Sequence, residues 1–520
     1  MNFLRGFSRR DLFRGGAGLV AAPALLRGGA STSAPSPGAP NVYDAIGVRP
    51  LINCRGTYTI LSGSLELPQV RAAQDAAALH YVQLDELMAA IGKRLAGLTG
   101  AEWGMVSSGC AAALAHATAA CIAGGNPDRH VRIPDLAGFP KDEVIIPTHS
   151  RNEYDAAIRS VGVRIVEVAT AEEYEAALGP RAAMVYILAG PDVESGPLTY
   201  DVLYSRAAAR KIPVLVDAAA EVLTIPNVHL QRGATLVGYS GGKCMRGPQC
   251  AGLLLGRKDL VQAAWVHSAP HHGYSRSMKL GKEEAIGMLA AVEMWTKRDH
   301  KAEWNQWLSW LNRIGGRVSS IDGVTTSIDE PNELSNHTPS LNIRWDTNRI
   351  GISGADVSHL LFTTAPRIAL VGEHGGVSVV AYMMSPGEDA IVADRLYAVL
   401  SSAAGRKLEV NNTAPSADVS GEWDVHITFA AGTSDQRLYL HQQENRLDGT
   451  HFGDYVARDL SGSIHGNDVK FTSEVGERHG QALTFTFAGA VVDDRMEGDL
   501  DMGEYLKANW TAVKHQPSMS

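Results

Sequence analysis

The chain has 520 residues, 45% of them hydrophobic and 20% charged, with a formal net charge of −9. That length exceeds one typical domain, the composition is that of a globular protein with a sizeable core, and the acidic balance argues against a nucleic-acid surface. The five cysteines, Cys54, Cys110, Cys121, Cys244 and Cys250, form no C-x-x-C pair, so neither a zinc knuckle nor a disulfide framework is expected, and no metal site is assigned.

At the N-terminus, "SRRDLFRGGAGLVAAPALLRGGASTSA" places Arg9 and Arg10 ahead of a mildly apolar stretch that is too short to span a bilayer. Ser8-Arg9-Arg10-Asp11-Leu12-Phe13 resembles a twin-arginine export signal. Residues 1–34 are therefore read as a signal, served by the twin-arginine machinery and implying an exported, periplasmic or secreted protein without a stable membrane anchor. Residues 35–40 form a Pro/Ser linker.

From residue 41 onward, short β-branched runs alternate with amphipathic ones. "DEVIIPTH" (142–149), "VRIVEVA" (163–169), "AAMVYILAG" (182–190), "IPVLVDAAA" (212–220) and "ATLVGYSGG" (234–242) each read as a buried strand ending in turn chemistry. The runs between them have helical spacing. The expected fold class is α/β, a parallel or mixed sheet covered by helices on both faces, over residues 41–314. Its last part, 281–314, reads as one long helix or two.

Residues 315–405 predict a smaller α+β unit, with strands "SLNIRWD", "RIALVGE" and "GVSVVAYMM" and a closing helix from Asp389. A second linker, 411–418, leads to residues 419–515. There, short alternating runs punctuated by turns every eight to twelve residues predict a β-barrel or sandwich. No nucleophile–base pair stands out in this module, and a stabilising or partner-binding role is expected of it.

Four features of the large unit carry chemistry. In "WGMVSSGCAAALAHATAACIAG", an apolar run passes through Ser107-Ser108-Gly109 into a helix beginning near Cys110. Free N–H groups and the helix dipole at such a turn hold a phosphate. Asp217 ends the most apolar strand, where it either caps a helix or pairs with a protonated pyridine nitrogen. Lys243 follows two glycines one strand–loop–strand unit later. It is either a loop lysine or a Schiff-base former, since burial favours the neutral amine that attacks a carbonyl. Ser240 adds a hydroxyl near it. His149 ends another strand and either caps the turn or lies flat over a ring. Phosphate turn, acidic strand end and lysine, in that order, describe a pyridoxal phosphate site.

The stretch from about 41 to 400 resembles the fold-type-I pyridoxal phosphate enzymes. More narrowly it resembles the branch of selenocysteine synthase and D-glucosaminate-6-phosphate ammonia-lyase. The resemblance is carried by "YDAIGVRPLINCRGTYTILSGS", "VLVDAAAEV", "SGGKCMRGPQCAGLLLGRKDLV" and "SRSMKLGKEEAIGMLAAVE".

It implies that Lys243 forms the Schiff base with the cofactor and that Asp217 contacts the pyridine nitrogen. Ser108, Gly109 and Ser240 hold the phosphate, Cys110 also contacts the cofactor, and His149 stacks on the ring. Arg367, in "TTAPRIALVGE", is implied as the partner of a substrate carboxylate, with a surface arginine as the other reading. Arg276, Lys279 and Lys282 are implied to reach the substrate, the cofactor or a neighbouring subunit. A homodimer or higher oligomer is implied as well.

The acidic charge and the export signal set the chain apart from a tRNA-binding transferase. The expected reaction is α,β-elimination on an amino acid or amino sugar acid. Transamination and racemisation by the same site stay open, as does an inactive exported binding protein.

Overall fold

The computed structural model describes residues 41–408, 411–476 and 482–516. The export signal and the first linker lie outside the described residues.

Seven strands form the large sheet: β1 Trp103–Ser107, β2 Glu143–Pro147, β3 Arg164–Val168, β4 Ala182–Leu188, β5 Val214–Asp217, β6 Leu236–Ser240 and β7 Gly252–Gly256. Their order is β1-β7-β6-β5-β4-β2-β3. β7 runs antiparallel to both its neighbours, and the remaining pairs are parallel. The sheet is therefore mixed. Val144 to Ile146 and Ala182 to Ile187 are fully buried, as expected of strands covered on both faces, whose sequences read as unbroken apolar runs. Helix α1, Cys110–Ala123, is buried on nearly every face. Its alanines allow close approach to the sheet.

The 281–314 stretch is two helices, α2 Lys282–Trp295 and α3 His300–Val318. The break comes at Asp299, whose side chain accepts the Ala302 N–H at 2.9 Å and so caps α3.

The smaller unit has a four-stranded antiparallel sheet made of β8 Val324–Asp329, β9 Ser340–Trp345, β10 Val371–Glu373 and β11 Gly376–Val380, in the order β10-β11-β9-β8. It shares a core with α3 and the closing helix α4, Glu388–Ala403. Ile52 and Cys54 join that core, because Ile52–Asn53 pairs in parallel with Ile368–Ala369.

The C-terminal module is a closed barrel of eight antiparallel strands running from Gly421–Thr428 to Lys507–Lys514. Each strand pairs with the next in the chain, and the last pairs with the first. Closure leaves no sheet edge to protect. Trp423, Phe471, Phe487 and Trp510 fill the interior.

Candidate active site

In sheets of this kind, ligands bind beyond the carboxyl ends of the parallel strands. β1, β2, β5 and β6 deliver Ser108, His149, Asp217 and Ser240 to that edge, and the turn after β6 delivers Lys243.

Local packing explains the glycines around them. Ser107 and Ser240 both lie opposite Gly252. A Cβ on Gly252 would come within 2.5 Å of the Gly109 carbonyl carbon and 2.6 Å of the Cys110 nitrogen. Only glycine lets the Ser107–Gly109 turn sit against β7. A Cβ on Gly242 would meet Gln249 Cα at 2.6 Å, so the turn that presents Lys243 is folded as tightly. The Arg246 N–H closes this turn on the Lys243 carbonyl at 2.9 Å.

Asp217 is 2% exposed. Its Oδ1 accepts the Ala219 N–H at 3.0 Å and the Cys110 thiol at 3.5 Å, and its Oδ2 accepts the Tyr186 phenol at 3.0 Å. Burial pushes its carboxyl up. The Ala219 N–H, the Tyr186 hydroxyl, the Lys243 ammonium and the Cys110 thiol oppose that rise. Asp217 does not act as a helix cap in this arrangement.

Lys243 lines a cavity of about 450 Å³ together with Arg55, Tyr58, Tyr154, Asn336 and Tyr382. Thr57 also lines it and hydrogen-bonds to the Tyr382 hydroxyl through both its N–H (3.2 Å) and its own hydroxyl (3.0 Å). The cavity thus lies between the edge of the large sheet and the smaller unit.

Three observations fit pyridoxal phosphate at this edge. The space that a Cβ on Gly109 would enter is open, directly at the N-terminus of α1. His149 keeps a buried Nε2 without a hydrogen-bond partner among the described residues, and burial lowers its pKa. Asp217 is a buried carboxylate ringed by donors, with a lysine beside it. Cys110, at the first turn of α1, serves Asp217 through its thiol.

Other expected residues sit elsewhere. Arg367 does not line the Lys243 cavity. Its Nε donates to the Phe362 carbonyl at 2.8 Å and its terminal nitrogen to the Arg49 carbonyl at 2.9 Å. The guanidinium therefore holds the Ile52 and Ile368 segments together, which is the reason it is not offered to a carboxylate in this cavity. Arg276 and Lys279 are exposed, and Lys282 pairs with Glu283. The loop carrying Arg276 does run beside the turn before α1, because Ser108 Oγ donates to the Met278 carbonyl at 3.0 Å.

Sequence reasoning missed Arg55, Tyr154, Tyr186 and Tyr382. Tyr154 lies close enough to Asp217 for that carboxylate, after burial and Glu153, to raise its phenol pKa. The one signal for it was its place in "HSRNEYD", five residues after His149.

Fold and site together define an enzyme dependent on pyridoxal phosphate. The chain belongs to the family of D-glucosaminate-6-phosphate ammonia lyase. It is 31% identical to the Salmonella typhimurium protein of that name over 380 residues, covering 70% of this chain and 99% of the relative. The solved structure of D-glucosaminate-6-phosphate ammonia-lyase superposes with a TM-score of 0.63 at 29% identity, over 70% of this chain and 99% of that one.

A Streptomyces protein named 5'-C-glycyluridine monooxygenase-decarboxylase is 33% identical over 299 residues, 54% of this chain and 72% of the relative. L-seryl-tRNA(Sec) selenium transferase of Proteus mirabilis is 24% identical over 182 residues, 30% of this chain and 38% of the relative. No protein-family model matches the chain.

Proposed function

We propose that the protein is a lyase that releases ammonia from an amino acid or amino sugar acid by α,β-elimination. The observation that carries this reading is Lys243, which faces the cavity and lies near Asp217, in a chain that spans nearly the whole length of an ammonia lyase.

Ser108, Ser240 and the N–H groups opening α1 are the residues to hold the cofactor's phosphate. Asp217 is placed for its pyridine nitrogen, His149 for its ring face and Lys243 for its carbonyl carbon. When bound, the cofactor draws electrons from the α-carbon of an amino substrate. Lys243 is then the base that takes the α-proton. The Cα–H and Cβ–O bonds break, a Cα=Cβ bond forms, and the β-hydroxyl leaves with a proton as water. Hydrolysis of the resulting enamine yields a keto product and ammonia. Arg55, on the cavity wall, is the cation available to the substrate carboxylate in place of Arg367.

Export by the twin-arginine route and assembly into at least a dimer belong to the same proposal. The first is supported by Ser8-Arg9-Arg10. The second is supported by the exposed apolar side chains Tyr58, Ile60, Leu65, Leu79 and Tyr81.

The test is ammonia and keto-product release from D-glucosaminate, its 6-phosphate and β-hydroxy amino acids, with Lys243→Ala as the control. Wild type is expected to turn over at least one of them and Lys243→Ala none. A wild-type protein that shows the cofactor's visible band yet racemises or transaminates these compounds without releasing ammonia overturns elimination.

A further inference from the structure

Loss of a β-hydroxyl needs two proton transfers, one from the α-carbon and one to the departing oxygen. Lys243 accounts for the first. Hydroxide leaves poorly by itself, so the second proton calls for an acid beside the β-carbon. Three phenols line the Lys243 cavity, Tyr58, Tyr154 and Tyr382. A phenol, with a pKa of about 10, is a far stronger acid than the water formed, at about 15.7, so the transfer runs downhill.

The three phenols are not equivalent. Tyr382 accepts the Thr57 N–H at 3.2 Å and shares a proton with the Thr57 hydroxyl at 3.0 Å, so its oxygen is committed. Tyr58 turns its ring face to the Arg55 guanidinium at 4.6 Å and neighbours Tyr382. Tyr154 is half-exposed, and its hydroxyl makes no hydrogen bond among the described residues. Burial, then Glu153, Asp217, the barrel's Glu504 and Cys110, raise its pKa. The proton therefore stays on that oxygen until a stronger base meets it, and the nearness of Asp217 and Cys110 puts it at the cofactor end of the cavity.

The backbone fixes where this phenol stands. Tyr154 lies in the turn Glu153–Asp155, after β2. The buried Asn152 side chain accepts the Tyr154 N–H at 2.8 Å and donates to the Tyr186 hydroxyl at 2.9 Å, which donates in turn to Asp217. One amide thus ties the Tyr154 turn to the carboxylate. In the sheet, β2 and β6 are separated by β4 and β5, three strand spacings or about 14 Å. Lys243 and Tyr154 enter the cavity from opposite sides, with Asp217 of β5 between them. Base and acid are separate groups, each free to meet its own atom.

We propose that Tyr154 is the general acid of the elimination: its hydroxyl gives a proton to the β-oxygen as the Cβ–O bond breaks. The electron pair of the Cα–H bond becomes the Cα=Cβ bond, and that of the Cβ–O bond goes to the oxygen, which leaves as water. Lys243 ends one proton richer and Tyr154 one poorer, and transfer between them through water restores both. This assignment rests on the elimination proposed above.

The test uses full-length, cofactor-loaded protein in deuterium oxide, with whichever of D-glucosaminate, its 6-phosphate and β-hydroxy amino acids the wild type turns over. Exchange of the α-hydrogen, followed by NMR, reports the base, and ammonia release reports the whole elimination. Tyr154→Phe is expected to keep the cofactor's visible band and to exchange the α-hydrogen at about the wild-type turnover rate, while ammonia release falls at least about 100-fold, the scale of a lost general acid. Tyr154→His, which keeps a proton donor, should recover part of the release.

Equal loss of exchange and release in Tyr154→Phe, or loss of its visible band, would show that the residue only builds the site and overturns the proposal. Unchanged ammonia release overturns it as well, because Lys243 or water then supplies the proton. The same split in Tyr58→Phe, with none in Tyr154→Phe, assigns the acid to Tyr58 instead. A wild type that releases no ammonia from any of the compounds overturns elimination and the acid together, and that result is read without any variant.

Discussion

Tyr186 donates its phenol to Oδ2 of Asp217 at 3.0 Å and itself accepts the side-chain amide of Asn152 at 2.9 Å. The chain of donors opposes the rise that burial imposes on the Asp217 carboxyl. Tyr186→Phe removes one donor and pushes the Asp217 carboxyl further up. Cofactor affinity is expected to fall about tenfold, the scale of a hydrogen bond to a charged group, and the pH below which cofactor dissociates should move upward. Titrating pyridoxal phosphate into the variant at several pH values checks both. An unchanged pH profile would show that Asp217 does not depend on Tyr186.

Gly252→Ala tests the phosphate turn. The added methyl would collide with the backbone of Gly109 and Cys110, which cannot yield without shifting the start of α1. The expected cost is about 1–3 kcal/mol of stability, typical of overpacking. Cofactor affinity should fall as well, because the N–H groups move. Urea unfolding and the visible absorption of the loaded protein measure the two. Full retention of the cofactor would mean that the turn is not the phosphate holder.

Asp155 anchors the segment that carries His149 and Tyr154. Its side chain is 0% exposed and meets Arg151 at 2.6 Å and Arg159 at 2.8 Å. Asp155→Asn leaves these cations facing a neutral group, and because Arg151 keeps Glu167 at 2.7 Å and Arg159 reaches solvent, the cost is that of weakened buried hydrogen bonds, about 1–3 kcal/mol. The urea midpoint should drop accordingly, and the cofactor should dissociate faster. A loss under about 1 kcal/mol, the range of an exposed pair, would contradict the anchoring role.

The sequence made the large sheet readable because its strands are buried on both faces, so Val144–Ile146 and Val214–Val216 stand out as apolar runs bounded by turns. β8 escaped because Val324-Thr325-Thr326-Ser327-Ile328-Asp329 packs one face only and looks polar. "RIALVGE" reads as one strand, yet Ile368–Ala369 pairs with Ile52–Asn53 while Val371–Glu373 pairs with β11. The chain changes partner at Leu370, which no local pattern announces.

The site divides the same way. Ser108, Asp217 and Lys243 are legible because each ends a strand or follows a glycine turn. Arg55 and Tyr382 reach the cavity from distant segments, and Tyr186 looks like any core tyrosine. Arg367 lies outside the lining of the Lys243 cavity because the carbonyls of Phe362 and Arg49 hold its guanidinium, and those partners become visible only once the chain is folded.

The barrel supplies a pH prediction. His451 is 0% exposed, with Nε2 at 2.6 Å from Gln436 Oε1 and Nδ1 at 2.7 Å from Ser473 Oγ. A neutral ring satisfies both contacts, donating to the amide oxygen and accepting the hydroxyl. Burial, followed by the nearby Arg458, pushes its pKa down to about 4. The unfolded chain therefore binds a proton near the ordinary histidine value of about 6.5 that the folded barrel refuses until about pH 4. Its stabilisation is complete above about pH 6.5 and is lost as pH falls toward 4, by an amount of order 3 kcal/mol. His116 and His267, depressed to about 3 and about 4 inside the large sheet's core, act in the same direction, so the whole chain should weaken on acidification. His451→Gln, which can still bond to Ser473 and Gln436, should flatten the pH dependence of the barrel's unfolding, followed through the buried Trp423 and Trp510, and leave that of the rest unchanged. Equal slopes in wild type and variant between pH 4 and 6.5 would show that His451 takes up its proton without unfolding the barrel.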